Sequence, residues 1–223
     1  MAVITGAQIL ERVTDTLQDK DNIRWPREEL LRYINDAQRE IVLQRPDSSL
    51  KTVPQLLTAN DTRQVLPTDG VRLIEVTRNL VSGGTQPGKA IRLTSREVLD
   101  AQVPLWHATT PVATISHFLF DIRNPRVFYV YPRPTSNVYV ETIYSSAPQD
   151  LMSENDVLTL DDIYSNAVIA FVLMRAYQKD EDYARNLDAA GMWMQMFNGS
   201  IGARTQADGA VNPNNNLGAD KSR

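Results

Sequence analysis

Two helix-like regions enclose a strand-like middle in this 223-residue chain. Near the start, Ile9, Val13 and Leu17 recur every four residues and so line one face of a helix. The middle is rich in β-branched and aromatic residues, which favour strands. Because an amphipathic helix must bury its apolar face, the helices at the two ends are expected to pack together. This order predicts an α+β fold: a helical bundle formed by the N- and C-terminal helices, with an inserted antiparallel β-rich lobe and an extended C-terminal tail.

Changes of pattern along the chain predict four parts. They are an N-terminal helical part of the bundle, a β-rich insertion, a C-terminal helical hairpin of the bundle and a flexible tail, at residues 1–50, 51–150, 151–198 and 199–223. From Gly199 onward Gly, Asn and Ala dominate, and such a segment cannot bury enough surface to order itself. We therefore expect the last helix to stop there, the tail to order only on a partner, and removal of residues 200–223 to leave subunit stability nearly unchanged.

The individual elements follow from periodicity and turn residues. Helices are predicted at residues 6–19, 26–45, 94–102, 161–179 and 181–198, and strands at residues 63–66, 71–78, 114–122, 126–131 and 138–144. Thr5 and Gln8 have the spacing of a capping box at the first helix. Residues 81–89 read VSGGTQPGK, which favours a flexible loop. The last three strands are expected to form an antiparallel meander, and the helices on either side of Asp180 a tight hairpin.

The chain carries no recognisable catalytic or metal-binding motif. It has no cysteine, which excludes disulfides and thiolate chemistry, and it lacks the common nucleotide-binding, hydrolase and metalloprotease motifs. His107 and His117 fit ordinary loop and sheet positions better than catalytic ones. Asp156, Asp161 and Asp162 lack the spacing of an EF-hand, and a helix N-cap accounts for the last two. We predict a non-enzymatic protein with no catalytic, cofactor-binding or metal-binding residues.

Charge and hydropathy narrow the classes of partner. The 23 Lys and Arg residues against 27 Asp and Glu residues give a net charge of −4. Proteins that clamp DNA through its phosphates usually show a basic excess or stripe, so tight or specific DNA binding is not expected. No run of ~18 apolar residues is present, as a membrane span would require, and the start lacks the pattern of a signal peptide. We expect no membrane partner.

Two apolar clusters each admit two interpretations. Residues 192–197 (MWMQMF) are more apolar than one helix face requires. They form either a core-facing stripe with some excess or a second face that packs on a neighbouring subunit, with Met192, Trp193 and Met196 as the interface candidates. The aromatic residues of the sheet, at 128–131 and 139–144, form either the sheet core or a base-stacking surface for single-stranded nucleic acid.

Several segments resemble the head-to-tail connector (adaptor) proteins of tailed bacteriophages. The similarity extends over most of residues 5–198, and its motifs are structural, with no chemical signature among them. The segments are WPREELLRYINDAQREI at 25–41, LPTDGVRLI at 66–74, RN at 78–79, PRVFYVYP at 125–132 and AYQKD at 176–180. The 81–89 loop and the tail match this family poorly.

The resemblance implies a structural virion protein at the head–tail interface, assembled in the bacterial host cytoplasm. Its copies form a ring, usually of twelve, beneath the portal protein, contact tail or nozzle proteins, and let genomic DNA pass through the centre. In such relatives the C-terminal segment often orders against the portal. The tail residues that are candidates for portal binding here are Ile201, Arg204, Val211, Leu217 and Lys221.

Two other functions stay open at this stage. A tail-tube or tail-completion protein of the same particle would share the β-rich lobe but bind tail proteins instead of the portal. A single-stranded nucleic-acid-binding module would use the aromatic sheet and show binding that falls as salt rises.

Overall fold

The computed structural model describes residues 4–179 and 184–211, which form two compact units. One is helical and contains the described residues up to Ser48 and from Pro148 onward; the other, Ser49–Ala147, is β-rich. The described residues include five α-helices and eight strands in antiparallel and mixed sheets, so the α+β prediction is confirmed. No helix in the described ranges combines the length and apolarity that a membrane crossing requires.

Four of the helices build the helical unit. They are α1 (Gly6–Leu17), α2 (Arg27–Gln44), α4 (Ser165–Lys179) and α5 (Ala184–Val211). The predicted capping box is present, because Thr5 Oγ1 accepts a hydrogen bond from the Gln8 backbone and the Gln8 side chain accepts one from the Thr5 backbone. Pro26, predicted as the first residue of the second helix, instead lies at the N-cap of α2, one position before its first turn. The connection around Asp180 lies outside the described residues.

Helix α4 supplies the centre of the helical core. Most of its 15 residues are apolar, and those that are buried face several directions around the helix. Helices α1, α2 and α5 all pack against α4. Ile163 falls inside the helix predicted at residues 161–179, but it lies in the short 3₁₀ helix Asp162–Tyr164 and its side chain is 61% exposed. The α4 residues that are buried are Ala167, Val168, Ala170, Phe171, Val172, Leu173, Met174 and Ala176.

The connection from α1 to α2 is organised by one carboxylate. Asp19 accepts hydrogen bonds from the backbone N–H groups of Ile23, Arg24 and Trp25 at 3.0–3.1 Å. The loop in this way places the buried Trp25 indole so that its Nε1 donates to the carbonyl oxygen of Ala176 in α4 at 3.1 Å. The backbone donors, that of Trp25 above all, lower the pKa of Asp19.

The C-terminal helix is longer than predicted. Helix α5 continues to Val211, so the predicted stop at Gly199 is wrong. Ile201 lies one turn beyond Phe197, and both side chains are buried in the helical core. A glycine in a helix interior costs about 1 kcal/mol relative to alanine, and the burial of Ile201 offsets that cost. Composition hid this continuation, because Gly, Asn and Ala dominate the residues from Gly199 onward.

The β-rich unit contains two four-stranded sheets with strand orders β1-β8-β3-β4 and β2-β7-β6-β5. All pairs are antiparallel except β5 with β6, which is parallel. The short helix α3 (Arg96–Gln102) begins at Ser95, whose hydroxyl caps the Val98 N–H. The strands are β1 (Leu50–Leu56), β2 (Arg63–Val65), β3 (Gly70–Val81), β4 (Gln86–Ala90), β5 (Arg92–Leu93), β6 (His117–Phe120), β7 (Val127–Tyr131) and β8 (Tyr139–Ser146).

Two predictions about the strands are wrong. The expected flexible loop at residues 81–89 is a hairpin that joins β3 to β4, with Ser82, Gly83 and Gly84 at positive φ in its turn. The last three strands do not form a meander, because β8 leaves β7 and inserts between β1 and β3 of the other sheet. Both edges of β7 are occupied, one by β2 and the other by β6, so β8 has no free edge of β7 with which to pair. Strand β1 was missed because its exposed edge position leaves little apolar alternation.

One buried asparagine ties the two sheets of the β-rich unit together. Asn79, on β3, is 4% exposed. Its Nδ2 donates to the carbonyl oxygens of Lys89 and Ile115, each at 2.8 Å, and its Oδ1 accepts from the Ile115 N–H at 2.8 Å. These bonds satisfy backbone groups that β4 and the segment before β6 would otherwise bury without partners.

We predict that Asn79→Ala lowers the free energy of unfolding of the β-rich unit by about 2–4 kcal/mol, because it leaves buried backbone groups unpaired. Urea denaturation measures this loss, and hydrogen exchange should show faster exchange at the Ile115 amide. Gln102→Ala, at an exposed position without a side-chain hydrogen bond, is the matched control and should change stability by less than about 0.5 kcal/mol. Unchanged exchange at Ile115 in the Asn79 variant would contradict the assignment.

A second prediction concerns pH. The folded pKa of Asp19 lies below its ordinary value of 3.8, so its contribution to stability is present above the unfolded pKa and is lost as pH falls through the lower folded pKa. Asp19→Asn should therefore lower Tm at pH 7. The difference in Tm between the variant and the wild type should become smaller below about pH 4. Thermal melts across pH check this, with exposed Asp21→Asn as control. A difference that stays constant with pH would exclude the carboxylate charge as its cause.

Candidate assembly surfaces

Helix α5 carries exposed apolar side chains on a face that does not contact the core. Phe197 is 3% exposed and contacts Phe171 of α4, with ring centroids 5.3 Å apart. Met192 and Met196 are 66% and 56% exposed. At 3.6 residues per turn they lie one turn apart and about 100–140° around the helix from Phe197. Of the two interpretations, these two methionines therefore belong to the solvent-facing side of the subunit and not to its core.

The other apolar residues of α5 divide differently from the prediction. Trp193 is partly buried and packs against the helical core, so it is the least accessible of the three interface candidates. Leu187 and Met194 of the same helix are also 56% and 51% exposed. A helix with apolar side chains on most of its surface is normally covered on most of its surface. The exposed apolar surface of α5 thus extends beyond the three residues that were predicted to form an interface.

The five candidates for portal binding occupy different environments. Ile201 is 5% exposed and belongs to the helical core, which gives it a structural role inside the subunit. Arg204 and Val211 lie on α5, where the backbone is described but their side chains are not. Leu217 and Lys221 lie outside the described residues. Sequence periodicity could have separated Ile201 from the others, because it is four residues beyond Phe197.

Glu29, in the first turn of α2, is neutralised within the helical unit. Lys179 Nζ of α4 lies 2.6 Å from Glu29 Oε2, and this contact lowers the pKa of Glu29. Tyr33 Oη donates to the same carboxylate at 2.8 Å. Burial, and then this hydrogen bond, raise the pKa of Tyr33 to about 12. Glu29 is therefore engaged inside the subunit and is not a free carboxylate for a partner.

Each of the two histidine rings stacks on an aromatic neighbour. His107 stacks on Trp106 with ring centroids 3.5 Å apart, and its Nδ1 lies 2.7 Å from Thr62 Oγ1. His117 is half-buried and stacks on Tyr131 at 6.3 Å. Neither geometry places a carboxylate beside the imidazole in the way that a catalytic pair requires.

The three aspartates considered as cation ligands bond to backbone instead. Asp156 accepts from the N–H groups of Met152 and Ser153, each at 2.8 Å. Asp161 caps the 3₁₀ helix that follows it, and Asp162 accepts from the Ile4 N–H at 3.1 Å. Among the described residues no group of three His, Asp or Glu side chains could hold a metal ion.

Most aromatic residues of the two sheets pack in or against the core of the β-rich unit. Phe118, Phe128 and Tyr144 are at most 3% exposed and lie in the core of the β-rich unit. Tyr129 is covered by Trp106 at 6.1 Å in an edge-on contact and by the Arg96 guanidinium at 5.9 Å. A base-stacking surface needs open aromatic faces, and these rings do not provide them.

We predict that the two faces of α5 respond differently to substitution. Met192→Ser and Met196→Ser, on the exposed face, should each change the free energy of unfolding by less than about 0.5 kcal/mol. Phe197→Ala, in the core, should lower it by about 3–5 kcal/mol. Thermal denaturation of the isolated subunit makes the comparison. A loss of more than about 2 kcal/mol in a methionine variant would mean that this face packs within the subunit.

Comparison with known proteins agrees with this structural character. No curated protein matches the chain. Residues 4–216, which cover the β-rich unit and most of the helical unit, match the family described as SU10 adaptor protein. That family comprises head-to-tail adaptors of bacteriophages and implies a structural component of the virion. The chain therefore belongs to the SU10 adaptor protein family.

Proposed function

We propose that this protein is a head-to-tail adaptor whose copies form a ring beneath the portal protein. The ring joins the DNA-filled capsid to the tail, contacts tail or nozzle proteins on its far side and forms part of the channel for the genome. The observation that carries the proposal is the family match over residues 4–216. Twelve copies are expected because rings of such adaptors usually have twelve. Assembly is expected in the cytoplasm of the bacterial host.

Self-association is proposed to use the exposed face of α5. Met192 and Met196 present flexible apolar side chains that suit an interface. Trp193, at the border of this face, supplies a partly buried aromatic edge. A ring requires each subunit to offer two different surfaces to its two neighbours, which is a heterologous contact. The face of α5 is proposed as one of these two surfaces.

Attachment to the portal is proposed to use the C-terminal end of the chain. Leu217 and Lys221 are proposed as its anchors, together with Arg204 and Val211 of α5. A segment that orders on its partner loses conformational entropy, which offsets part of the contact energy. Such binding depends on the segment's own side chains and tolerates changes elsewhere in the subunit.

Passage of DNA is proposed to occur without tight binding. The net charge of −4 disfavours strong phosphate contacts. Attractive contacts along a channel would slow a moving polyanion. The protein is therefore proposed to act through assembly, and no reaction is assigned to it.

Two truncations test the attachment. A chain ending at Val211 retains the buried Ile201 and should melt within about 1 °C of the full chain, since it loses no described core residue. A chain ending at Gly199 lacks Ile201 and should lose at least about 2 kcal/mol, contrary to the sequence expectation for residues 200–223. Differential scanning calorimetry measures both.

The same truncations separate stability from binding. The chain that ends at Val211 should no longer co-sediment with the portal protein encoded with it, although its fold is intact. Lys221→Ala alone, as a milder change, should weaken attachment without changing Tm. Full attachment of the Val211 truncation would contradict the portal role of the C-terminal end, and attachment to purified tail proteins in place of the portal would favour a tail-completion protein.

A further inference from the structure

The two units of the chain carry net charges of opposite sign. The β-rich unit, Ser49–Ala147, has ten Lys and Arg residues against seven Asp and Glu residues, a net charge of +3. The remaining residues have 13 against 20, a net charge of −7, which together give the total of −4. A nearly balanced total thus conceals a basic unit and a strongly acidic one. Such a separation of charge influences which partners a protein binds more than how its chain folds.

Ion pairs neutralise only part of the basic side chains in the β-rich unit. Four pairs have nitrogen-to-oxygen distances of 2.6–3.7 Å: Lys51–Asp69, Arg78–Glu141, Arg96–Asp100 and Arg123–Asp121. The other six cations of this unit have no ion pair to a described residue. They are Arg63, Arg72, Lys89, Arg92, Arg126 and Arg133.

Two of these six cations meet in one groove. The groove has a volume of about 400 Å³ and is lined by Lys89, Ala90, Arg92, Ser116 and His117. Its described lining includes no acidic residue. Lys89 and Arg92 are exposed, whereas Ser116 and His117 are half-buried. The groove therefore presents cationic and hydroxyl groups to an anionic partner.

The backbone around this groove is held in place by the Asn79 side chain. Its amide nitrogen bonds the carbonyl oxygen of Lys89 on one wall and that of Ile115, next to Ser116, on the other. The Arg92 N–H donates to the Ser116 carbonyl oxygen at 3.0 Å, and Arg92 lies beside His117 in the parallel pair of β5 and β6. A cationic groove on a fixed backbone loses little entropy when a partner binds.

We propose that this groove docks the acidic helical unit of a second copy of the chain. The inference rests on the proposed ring, in which a surface of one subunit must fit a different surface of the next. The helical unit supplies the complementary charge, and exposed carboxylates such as Glu11, Asp21 and Glu28 have no ion pair to a described residue. Opposite charges on the two surfaces favour association in one order only and disfavour contacts between like units.

Charge reversal in the groove tests this docking. Lys89→Glu/Arg92→Glu should weaken association between subunits at least tenfold, while each subunit still attaches to the portal protein. Arg63→Glu/Arg126→Glu is the matched control, because it makes the same change in net charge at exposed positions outside the groove. Lys89→Arg/Arg92→Lys keeps the charge and should assemble as wild type does. Native mass spectrometry of the portal complexes counts the subunits bound, and electron microscopy shows whether the rings close.

The outcomes separate this inference from the proposed function. Closed rings of the Lys89/Arg92 variant, or equal loss in both reversal variants, would overturn the docking while leaving the adaptor role intact. If the Lys89/Arg92 variant forms intact rings but no longer binds duplex DNA at low salt, the groove is a nucleic-acid site and the docking proposal is overturned as well.

If wild-type protein fails to bind the portal, the adaptor role fails. Sedimentation velocity of the chain alone then decides the docking: self-association that is weakened by salt and by the groove variant supports it, and no self-association overturns it.

Discussion

The fold of the helical unit depends on α4 being apolar on most of its sides. Such a helix is stable only when it is surrounded, and it is enclosed by helices from both ends of the chain, α1 and α2 before the β-rich unit and α5 after it. The bond from Trp25 Nε1 to the Ala176 carbonyl adds a directional contact to this apolar packing. Because α1 and α2 precede the β-rich residues while α4 and α5 follow them, Ser49–Ala147 is necessarily an insertion. The central helix therefore explains why the chain leaves the bundle once and returns to it.

Most of the fold could be predicted from local signals. Each local pattern predicts the helix or strand in which it lies. Examples are the capping residues Thr5 and Gln8, the charged first turn of α2 and the β-branched residues of β7 and β8. Local signals could not predict which strands pair when they are far apart in the sequence. Strand β8 pairs with β1 and β3, far away in sequence, and the hairpin at residues 81–89 forms because a partner strand, β3, is available. Sheet order depends on packing between distant segments, which periodicity does not report.

The assembly surfaces were predicted less completely, for a related reason. An apolar helix face has the same sequence pattern whether it contacts the subunit's own core or a neighbour, so only burial separates Met192 and Met196 from Phe197. Ile201 shows the reverse case, since a residue assigned to the tail proved to be part of the core. The basic groove had no sequence signal, because Lys89, Arg92 and His117 come from three strands. The mild net charge concealed it further, as the acidic helical unit outweighs the basic residues of the β-rich unit.

Single-particle electron microscopy of the protein mixed with the portal protein encoded with it tests the central claim most directly. The account predicts a closed ring of the protein seated on the narrow end of the portal, with α5 and its exposed methionines at the boundary between subunits. The symmetry of that ring gives the copy number without further assumption. Free subunits beside bare portals, under conditions in which both proteins are folded, would contradict the adaptor assignment and direct the search for partners to the tail.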